Sequence, residues 1–430
     1  MLDKPLQQDL NEYLVLVKNL RMHTQGEKTM KGPLKLLRSG NIEGLVNTGP
    51  IYEWFEGSIY LVIDAVSFQG RKGAILCYYN PPVHQVGNPA LDAYLEGLDR
   101  VYEKRDDLEF LIMLGANDPV HAGGDLKESL EKLDRTETMK KEKEEAGATA
   151  EEIDALYGWA DGRLEKGIAL HGKVRRLAQE LRTVAVCGGG TRFGGSAEIP
   201  LMSDYLVGDS RSGMCFSEVM IGLLPGWSGV ARAIVKAGPG NARYMAMTGK
   251  EVKADKLKEI GIYNVVVNVS FPFPKMERSG DPKADKASYG AALEKHDEET
   301  GMILIPGALE VATCDEAEIP PAGEPVALAV EAEIAEEVAR RKDPQNYALL
   351  WGKPLKEVRD EIGKLGRPLA PQSVEALSAL IGSCEPEGFD EEAFVRREAE
   401  EDARLYRDPR FRTGLTATLE QKVANYGEAS

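Results

Sequence analysis

The feature that most constrains the fold is a short apolar strand running into a glycine-rich bend. The strand is Thr183–Cys187, and Gly194 and Gly195 then open a segment typical of a helix that carries Glu198. A second carboxylate, Glu218, stands just before a Gly-Leu-Leu-Pro-Gly turn. Glycine leaves backbone N–H groups accessible, and such groups beside two carboxylates suit oxyanion stabilisation with acid–base chemistry.

A second junction of the same kind lies upstream. Leu108–Gly115 is predicted to be a strand, and Ala122-Gly123-Gly124-Asp125 follows before a helical segment. Gly73–Tyr79 is a further apolar strand that ends at Asn80-Pro81-Pro82, because proline cannot continue a strand ladder. Ala90–Lys104 has the apolar periodicity of a helix. This alternation predicts an α/β fold, with a layered sheet and helices outside it.

Composition excludes several classes of protein. The net charge of −17 disfavours nucleic acid as a partner. The five cysteines include no CxxC pair and the five histidines are dispersed, so we expect no disulfide framework and no metal site. No apolar run approaches the roughly 18 residues of a membrane helix. The first 25 residues lack a signal-peptide core, and we therefore expect a cytoplasmic protein without a membrane partner.

The chain is longer than one core requires, and four regions are predicted. Leu2–Met22 has helical spacing, and one helix is expected near Ala287–His296 within a stretch rich in proline. The regions are an N-terminal extension (1–70), a core (71–268) with a charged helical insertion (128–165), a Pro-rich insertion (269–325) and a helical C-terminal region (326–430).

Four motifs follow one another along the core. They are His121–Lys127 (HAGGDLK), Phe193–Glu198 (FGGSAE), Phe216–Gly226 (FSEVMIGLLPG) and Met247–Lys250 (MTGK). Together they resemble the crotonase (enoyl-CoA hydratase/isomerase) superfamily, closely over about 70–268 and loosely over 326–425. The resemblance implies a crotonase-like core of repeated ββα units with a C-terminal helical trimerisation region. It also implies a homotrimer or a hexamer (a dimer of trimers).

By this resemblance, the N–H groups of Ala122 and Gly195 form the oxyanion hole for an acyl-CoA thioester carbonyl. Each residue lies at a predicted strand-to-helix junction. N–H groups at a helix start lack partners within the helix, and the helix dipole favours negative charge there. Removing one such donor typically costs ~10²–10³ in rate.

The resemblance also implies that Glu198 and Glu218 are the catalytic acids. They would hold the water that adds across the C2–C3 double bond, and Glu218 would exchange the proton at C2. Two close carboxylates tend to split their pKa values, so that one is an acid while the other is a base. Without the resemblance, the favoured interpretations are a capping-box residue for Glu198 and a salt-bridged surface residue for Glu218.

The implied activity is that of an enoyl-CoA hydratase-type lyase, with coenzyme A as part of the substrate and no separate cofactor. Arg192 could meet an acidic substrate or form a structural ion pair. Phe216 and Trp227 could form a pocket wall or pack in the core. The predicted substrate-binding residues are Gly124, Asp125, Gly194, Arg192, Phe216 and Trp227.

Two alternative functions stay open at this point. The excursion after Val266 is reminiscent of members that open a cyclic oxo-acyl-CoA by hydrolysing a C–C bond. A crotonase-like fold can also be kept for assembly or acyl-CoA binding without catalysis, although retention of both glutamates counts against this. The sequence does not identify the acyl group.

Overall fold

The computed structural model describes residues 31–319, 326–384 and 388–427, so the predicted helix Leu2–Met22 lies outside the described residues. The strands are β1 (Leu45–Glu56), β2 (Ile59–Phe68), β3 (Arg71–Tyr79), β4 (Phe110–Gly115), β5 (Val120–His121), β6 (Arg182–Cys187), β7 (Thr191–Phe193), β8 (Tyr205–Asp209), β9 (Gly213–Cys215), β10 (Val252–Lys253) and β11 (Val265–Val267). The helices are α1 (Pro33–Arg38), α2 (Asn88–Glu103), α3 (Leu126–Glu145), α4 (Ala150–Asp154), α5 (Gly158–Leu177), α6 (Gly195–Leu201), α7 (Gly229–Thr248), α8 (Ala254–Glu259), α9 (Pro282–Thr313), α10 (Glu331–Lys342), α11 (Arg359–Leu365), α12 (Pro371–Gly382), α13 (Glu391–Tyr406) and α14 (Pro409–Leu419).

The larger sheet contains seven strands in the order β1-β2-β3-β4-β6-β8-β11. The pairs β1–β2 and β2–β3 are antiparallel, and every pair from β3 to β11 is parallel. β4 and β6 are almost continuously apolar and buried. This is the pattern of parallel strands that are covered on both faces.

The smaller sheet has the order β10-β9-β7-β5, and β5, β7 and β9 alternate along the chain with β4, β6 and β8 of the larger sheet. β4 is followed by β5 and α3, β6 by β7 and α6, and β8 by β9 and α7. This repetition confirms the predicted α/β core of ββα units. It also brings the ends of β5, β7 and β9 together, each just before a glycine loop or a short helical turn.

Residue 70 is not a structural boundary, contrary to the predicted N-terminal extension. β2 pairs with β3 continuously, from Tyr60 opposite Tyr79 to Phe68 opposite Arg71. Residue 70 therefore lies in the turn of a β-hairpin. The described part of the predicted extension supplies two strands of the main sheet.

The predicted Pro-rich insertion contains a long helix that is part of the core. The sequence predicts a short helix near Ala287–His296, whereas α9 has 32 residues and includes Pro306. Leu304 and Ala308 are fully buried and cluster with side chains of β6 and β8. A proline inside a helix removes one backbone hydrogen bond. Burial of this apolar face against the sheet offsets that loss.

The C-terminal helices pack on their own chain. α13 contacts α5 and α7, α12 contacts α7, and α14 contacts α3, which lies mostly within the charged insertion. The predicted oligomerisation region thus covers the core of the same chain, and the homotrimer or hexamer stays a prediction. Across the three described ranges, no helix is both long and apolar enough to cross a membrane.

Candidate active site

One cavity, of about 240 Å³, unites the two glycine loops, both predicted catalytic glutamates and the C-terminal helices. It is lined by residues from β5, α5, α6, the 217–227 turn and α13. Of the predicted site residues, the cavity lining includes Ala122, Gly124, Gly194, Gly195, Glu198, Glu218 and Trp227. Residues that were not predicted also line it, among them Arg163, Arg367, Asp402 and Tyr406.

The two glycine loops lie against each other because β5 and β7 pair in parallel. A Cβ atom on Gly123 would lie 2.7 Å from the carbonyl oxygen of Phe193 and 2.9 Å from the nitrogen of Gly195. Only glycine permits this approach. The hydroxyl of Ser196 donates a hydrogen bond to the carbonyl of Ala122, which ties the loops together.

The predicted oxyanion donor Ala122 is not available. The donor assignment therefore moves two residues along the loop, to Gly124. The N–H of Ala122 donates to the carbonyl of Val83 at 2.7 Å. Gly124 forms a parallel bridge with Val86. That bridge uses the carbonyl of Gly123 and the N–H of Asp125, so the N–H of Gly124 has no hydrogen-bond partner among the described residues.

Gly195 is the second predicted oxyanion donor. It is the first residue of α6. An N–H at this position has no partner within the helix. Among the described residues, neither the N–H of Gly124 nor that of Gly195 has a hydrogen-bond partner, and the two lie on adjacent loops of the cavity. Such a pair can accept a developing oxyanion.

Glu198 is held by the backbone that follows the Pro-Gly turn. Its Oε2 atom accepts hydrogen bonds from the N–H groups of Trp227 at 2.8 Å and Gly229 at 2.9 Å. Burial raises the pKa of Glu198 to about 7, although these two donors act in the opposite direction. The carboxyl group can therefore exchange a proton near neutral pH.

Glu218 faces Gly194 across the cavity. A Cβ on Gly194 would lie 2.4 Å from Oε1 of Glu218 and would displace that carboxyl group. The φ angle of Gly194, +50°, favours glycine there. The Oε2 atom of Glu218 is buried and has no hydrogen-bond partner among the described residues. Burial, and then the charge of Glu198, raise the pKa of Glu218 well above its ordinary value.

Two further carboxylates reach this region from α13. Asp402 accepts a hydrogen bond from the N–H of Leu224, and Glu398 accepts one from the N–H of Ala231, both at 2.9 Å. Burial raises the pKa of each well above its ordinary value. The sequence could have indicated these two residues, because they are spaced i, i+4 within the apolar stripe of a helix. Carboxylates are unusual in such a stripe.

The structure places three predicted substrate-binding residues outside the cavity lining. Asp125 caps α3 by accepting hydrogen bonds from the N–H groups of Lys127 and Glu128. Phe216 is fully buried in the apolar core. Arg192 points to the opposite face from Phe193, because successive residues of a strand alternate. Arg192 therefore cannot meet an acidic substrate in this cavity, and it forms no ion pair with a described carboxylate. Neither of the two roles expected for it is observed.

Trp227 forms a wall of the cavity, one of the two roles expected for it. A Cβ on Gly195 would lie 2.5 Å from its ring, so the indole packs directly against the donor loop. The guanidinium of Arg163 lies 5.1 Å from the centre of the indole ring. Arg163 also donates to the carbonyl of Val86 at 3.2 Å, beside the other donor loop.

Comparison with known proteins identifies the core. The enoyl-CoA hydratase/isomerase family matches residues 171–271, a range that contains Gly195, Glu198 and Glu218. This match and the relatives below support assignment of the core to the crotonase superfamily. The core carries the site described above, and the family match ends close to β11.

Relatives of this crotonase core match over part of their length. A crotonyl-CoA hydratase of Syntrophomonas wolfei is 28% identical over 135 residues, which cover 31% of this chain and 52% of the relative. A short-chain-enoyl-CoA hydratase of Clostridium acetobutylicum is 28% identical over 157 residues, 36% of this chain and 59% of the relative. The chain thus spans little more than half the length of these curated relatives.

Solved structures align over more of the chain. A crystal structure of an enoyl-CoA hydratase from Rhodobacter sphaeroides 2.4.1 has 13% identity and a TM-score of 0.48, covering 87% of this chain and 89% of that chain. A putative enoyl-CoA hydratase from Mycobacterium avium paratuberculosis K-10 has 16% identity and a TM-score of 0.43, covering 85% and 99%.

Proposed function

We propose that this protein adds water to a conjugated acyl-CoA thioester, as a hydro-lyase of the enoyl-CoA hydratase type. The observation that carries the proposal is the shared cavity. Glu198 and Glu218 line it together with the unengaged N–H groups of Gly124 and Gly195. A conjugated thioester requires both kinds of group, because water adds at C3 while negative charge develops on the thioester oxygen.

The two glutamates have different environments, which assigns their roles. Glu198, with a pKa of about 7, ionises more readily than Glu218, which burial and the neighbouring charge keep protonated. Glu198 takes a proton from water while the hydroxyl oxygen bonds to C3. The π electrons move to the thioester oxygen, which Gly124 and Gly195 stabilise. Glu218 then gives its proton to C2, so that one water is added in total. A proton must then pass from Glu198 to Glu218 to restore the starting protonation states.

The substrate supplies coenzyme A, and the proposed reaction uses no separate cofactor and no metal. The relatives named above are described as acting on crotonyl-CoA and short-chain enoyl-CoA. We therefore propose short-chain enoyl-CoA thioesters as the first substrates to test. We also propose the homotrimer or hexamer, which sedimentation of the full chain would test.

The experiment follows the ultraviolet absorbance of the conjugated thioester, with mass spectrometry of the product. Loss of absorbance with a gain of one water in mass supports the proposal. Cyclic oxo-acyl-CoA thioesters are included in the same panel. Ring opening to a dicarboxylic acyl-CoA, without hydration of any linear substrate, would contradict the proposal. So would thioester binding without turnover on the whole panel.

A further inference from the structure

A second cavity lies behind the oxyanion loops, on the other face of the smaller sheet. Val83, Val120 and Phe193 line the active-site cavity, whereas His84, His121 and Arg192 line this rear cavity of about 50 Å³. His84 and His121 directly follow Val83 and Val120 in the chain, and Arg192 directly precedes Phe193. The rear cavity is therefore separated from the catalytic glutamates by the thickness of the sheet.

Arg192 is a buried cation that has no carboxylate partner within the described part of the chain. Its side chain is 6% exposed, and its Nη2 donates to the carbonyl of Gly188 at 3.2 Å. Among the described residues, the Nε atom has no hydrogen-bond partner and no carboxylate lies within 4.0 Å of the guanidinium. An unpaired buried charge is strongly unfavourable, so a compensating negative group is expected in the rear cavity.

His121 presents a second unsatisfied nitrogen in the same place. It is 1% exposed, and its Nε2 has no hydrogen-bond partner among the described residues. The neighbouring imidazole does not supply one. His84 accepts a hydrogen bond from the N–H of Asn80 at 3.1 Å and contacts Asp118 at 2.6 Å. Asp118 is thereby engaged by His84.

We propose that the rear cavity binds a small monovalent anion of the size of chloride or formate, held by Arg192 Nε and His121 Nε2. A single water needs about 10–15 Å³ of such volume, so the cavity has room for an ion of this size. Because His121 and Arg192 directly precede Ala122 and Phe193, the anion joins β5 to β7 behind both donor loops.

The test measures unfolding of the full chain in sodium chloride and in sodium gluconate at equal ionic strength, because gluconate is too large for the cavity. The folding equilibrium constant should rise with chloride, tenfold for each tenfold increase above the dissociation constant, and should not rise with gluconate. Arg192→Met should abolish the difference between the two salts. Arg404→Met, which removes an exposed arginine of α13, should preserve it.

Equal responses of the wild-type protein to both salts would overturn the proposal, as would a chloride response that survives in Arg192→Met. If Arg192→Met does not fold, crystals of the wild-type protein soaked in sodium bromide provide the second measurement. The expected result is an anomalous bromide peak within about 3.5 Å of Arg192 Nε and His121 Nε2. The lack of a peak between those atoms would overturn the proposal.

Discussion

Oε2 of Glu198 lies 2.9 Å from the backbone nitrogen of Gly229, and the hydrogen bond between them joins α6 to the start of α7. A Cβ atom on Gly229 would lie 2.7 Å from this oxygen and 2.9 Å from Cβ of Pro225. The position of a proposed catalytic carboxylate therefore depends on a glycine that does not itself line the cavity.

We predict that Gly229→Ala displaces Glu198 and lowers kcat/KM for hydration by about 10- to 100-fold, because small shifts of a catalytic group are costly. Overpacking should also destabilise the fold by about 1–3 kcal/mol. Steady-state kinetics and urea unfolding measure both effects. The control is Gly240→Ala, which lies beyond the break of this helix at Gly238 and where a Cβ meets nothing within 4 Å. A Gly229→Ala enzyme as active as this control would contradict the expected coupling.

The raised pKa of Glu198 predicts a dependence of stability on pH. The pKa is about 7 in the folded protein against an ordinary value of 4.5, so the folded state keeps a proton that the unfolded state releases. The resulting stabilisation is complete below pH 4.5 and is lost as pH rises through 7. For one group the slope is about 1.4 kcal/mol per pH unit.

Glu198→Gln removes this titration, so its free energy of unfolding should decline less steeply between about pH 5 and 7. Urea unfolding at a series of pH values measures the slope, and the difference from wild type should approach about 1.4 kcal/mol per unit. Glu165→Gln, an exposed position on α5, should keep the wild-type slope. Parallel curves for wild type and Glu198→Gln would show that Glu198 ionises at its ordinary pKa.

The burial of α9 predicts that the region after β11 contributes to the stability of the core. Leu304 is fully buried among side chains of the main sheet, whereas Met302, two residues earlier, is 39% exposed. Leu304→Ala should cost about 2–5 kcal/mol in thermal or urea unfolding. Met302→Ala should cost less than about 1 kcal/mol. Similar small costs for both would mean that α9 is a peripheral addition.

The sequence predicted the elements whose signal is local. Apolar runs such as Thr183–Cys187 and Gly73–Tyr79 became strands within two residues of their predicted limits. The glycine bend beside Glu198 became the start of a helix, because Gly194 adopts a positive φ of 50° that turns the chain into α6. These patterns depend on neighbours in the chain, and the structure shows them where they were predicted.

Long-range packing accounts for the differences. A local sequence pattern predicts that a helix ends at Pro306. In the structure α9 continues past this proline, because its apolar face is buried against the sheet. The direction of the Arg192 side chain depends on which face of β7 meets the cavity. β7 has three residues, and its sequence is too short for an apolar alternation that would indicate this face. The N–H of Ala122 cannot serve as an oxyanion donor, because it donates to the carbonyl of Val83, 39 residues earlier in the chain. Pairings of this kind are not encoded in spacing.

We propose that both glutamates act on the thioester held by Gly124 and Gly195. The most direct test is the rate of enoyl-CoA hydration by Glu198→Gln and Glu218→Gln, with Glu165→Gln as the control, each checked for a wild-type unfolding midpoint. We predict a loss of at least about 100-fold in kcat for each active-site variant and none for the control. Turnover within a few-fold of wild type in both active-site variants would contradict the account.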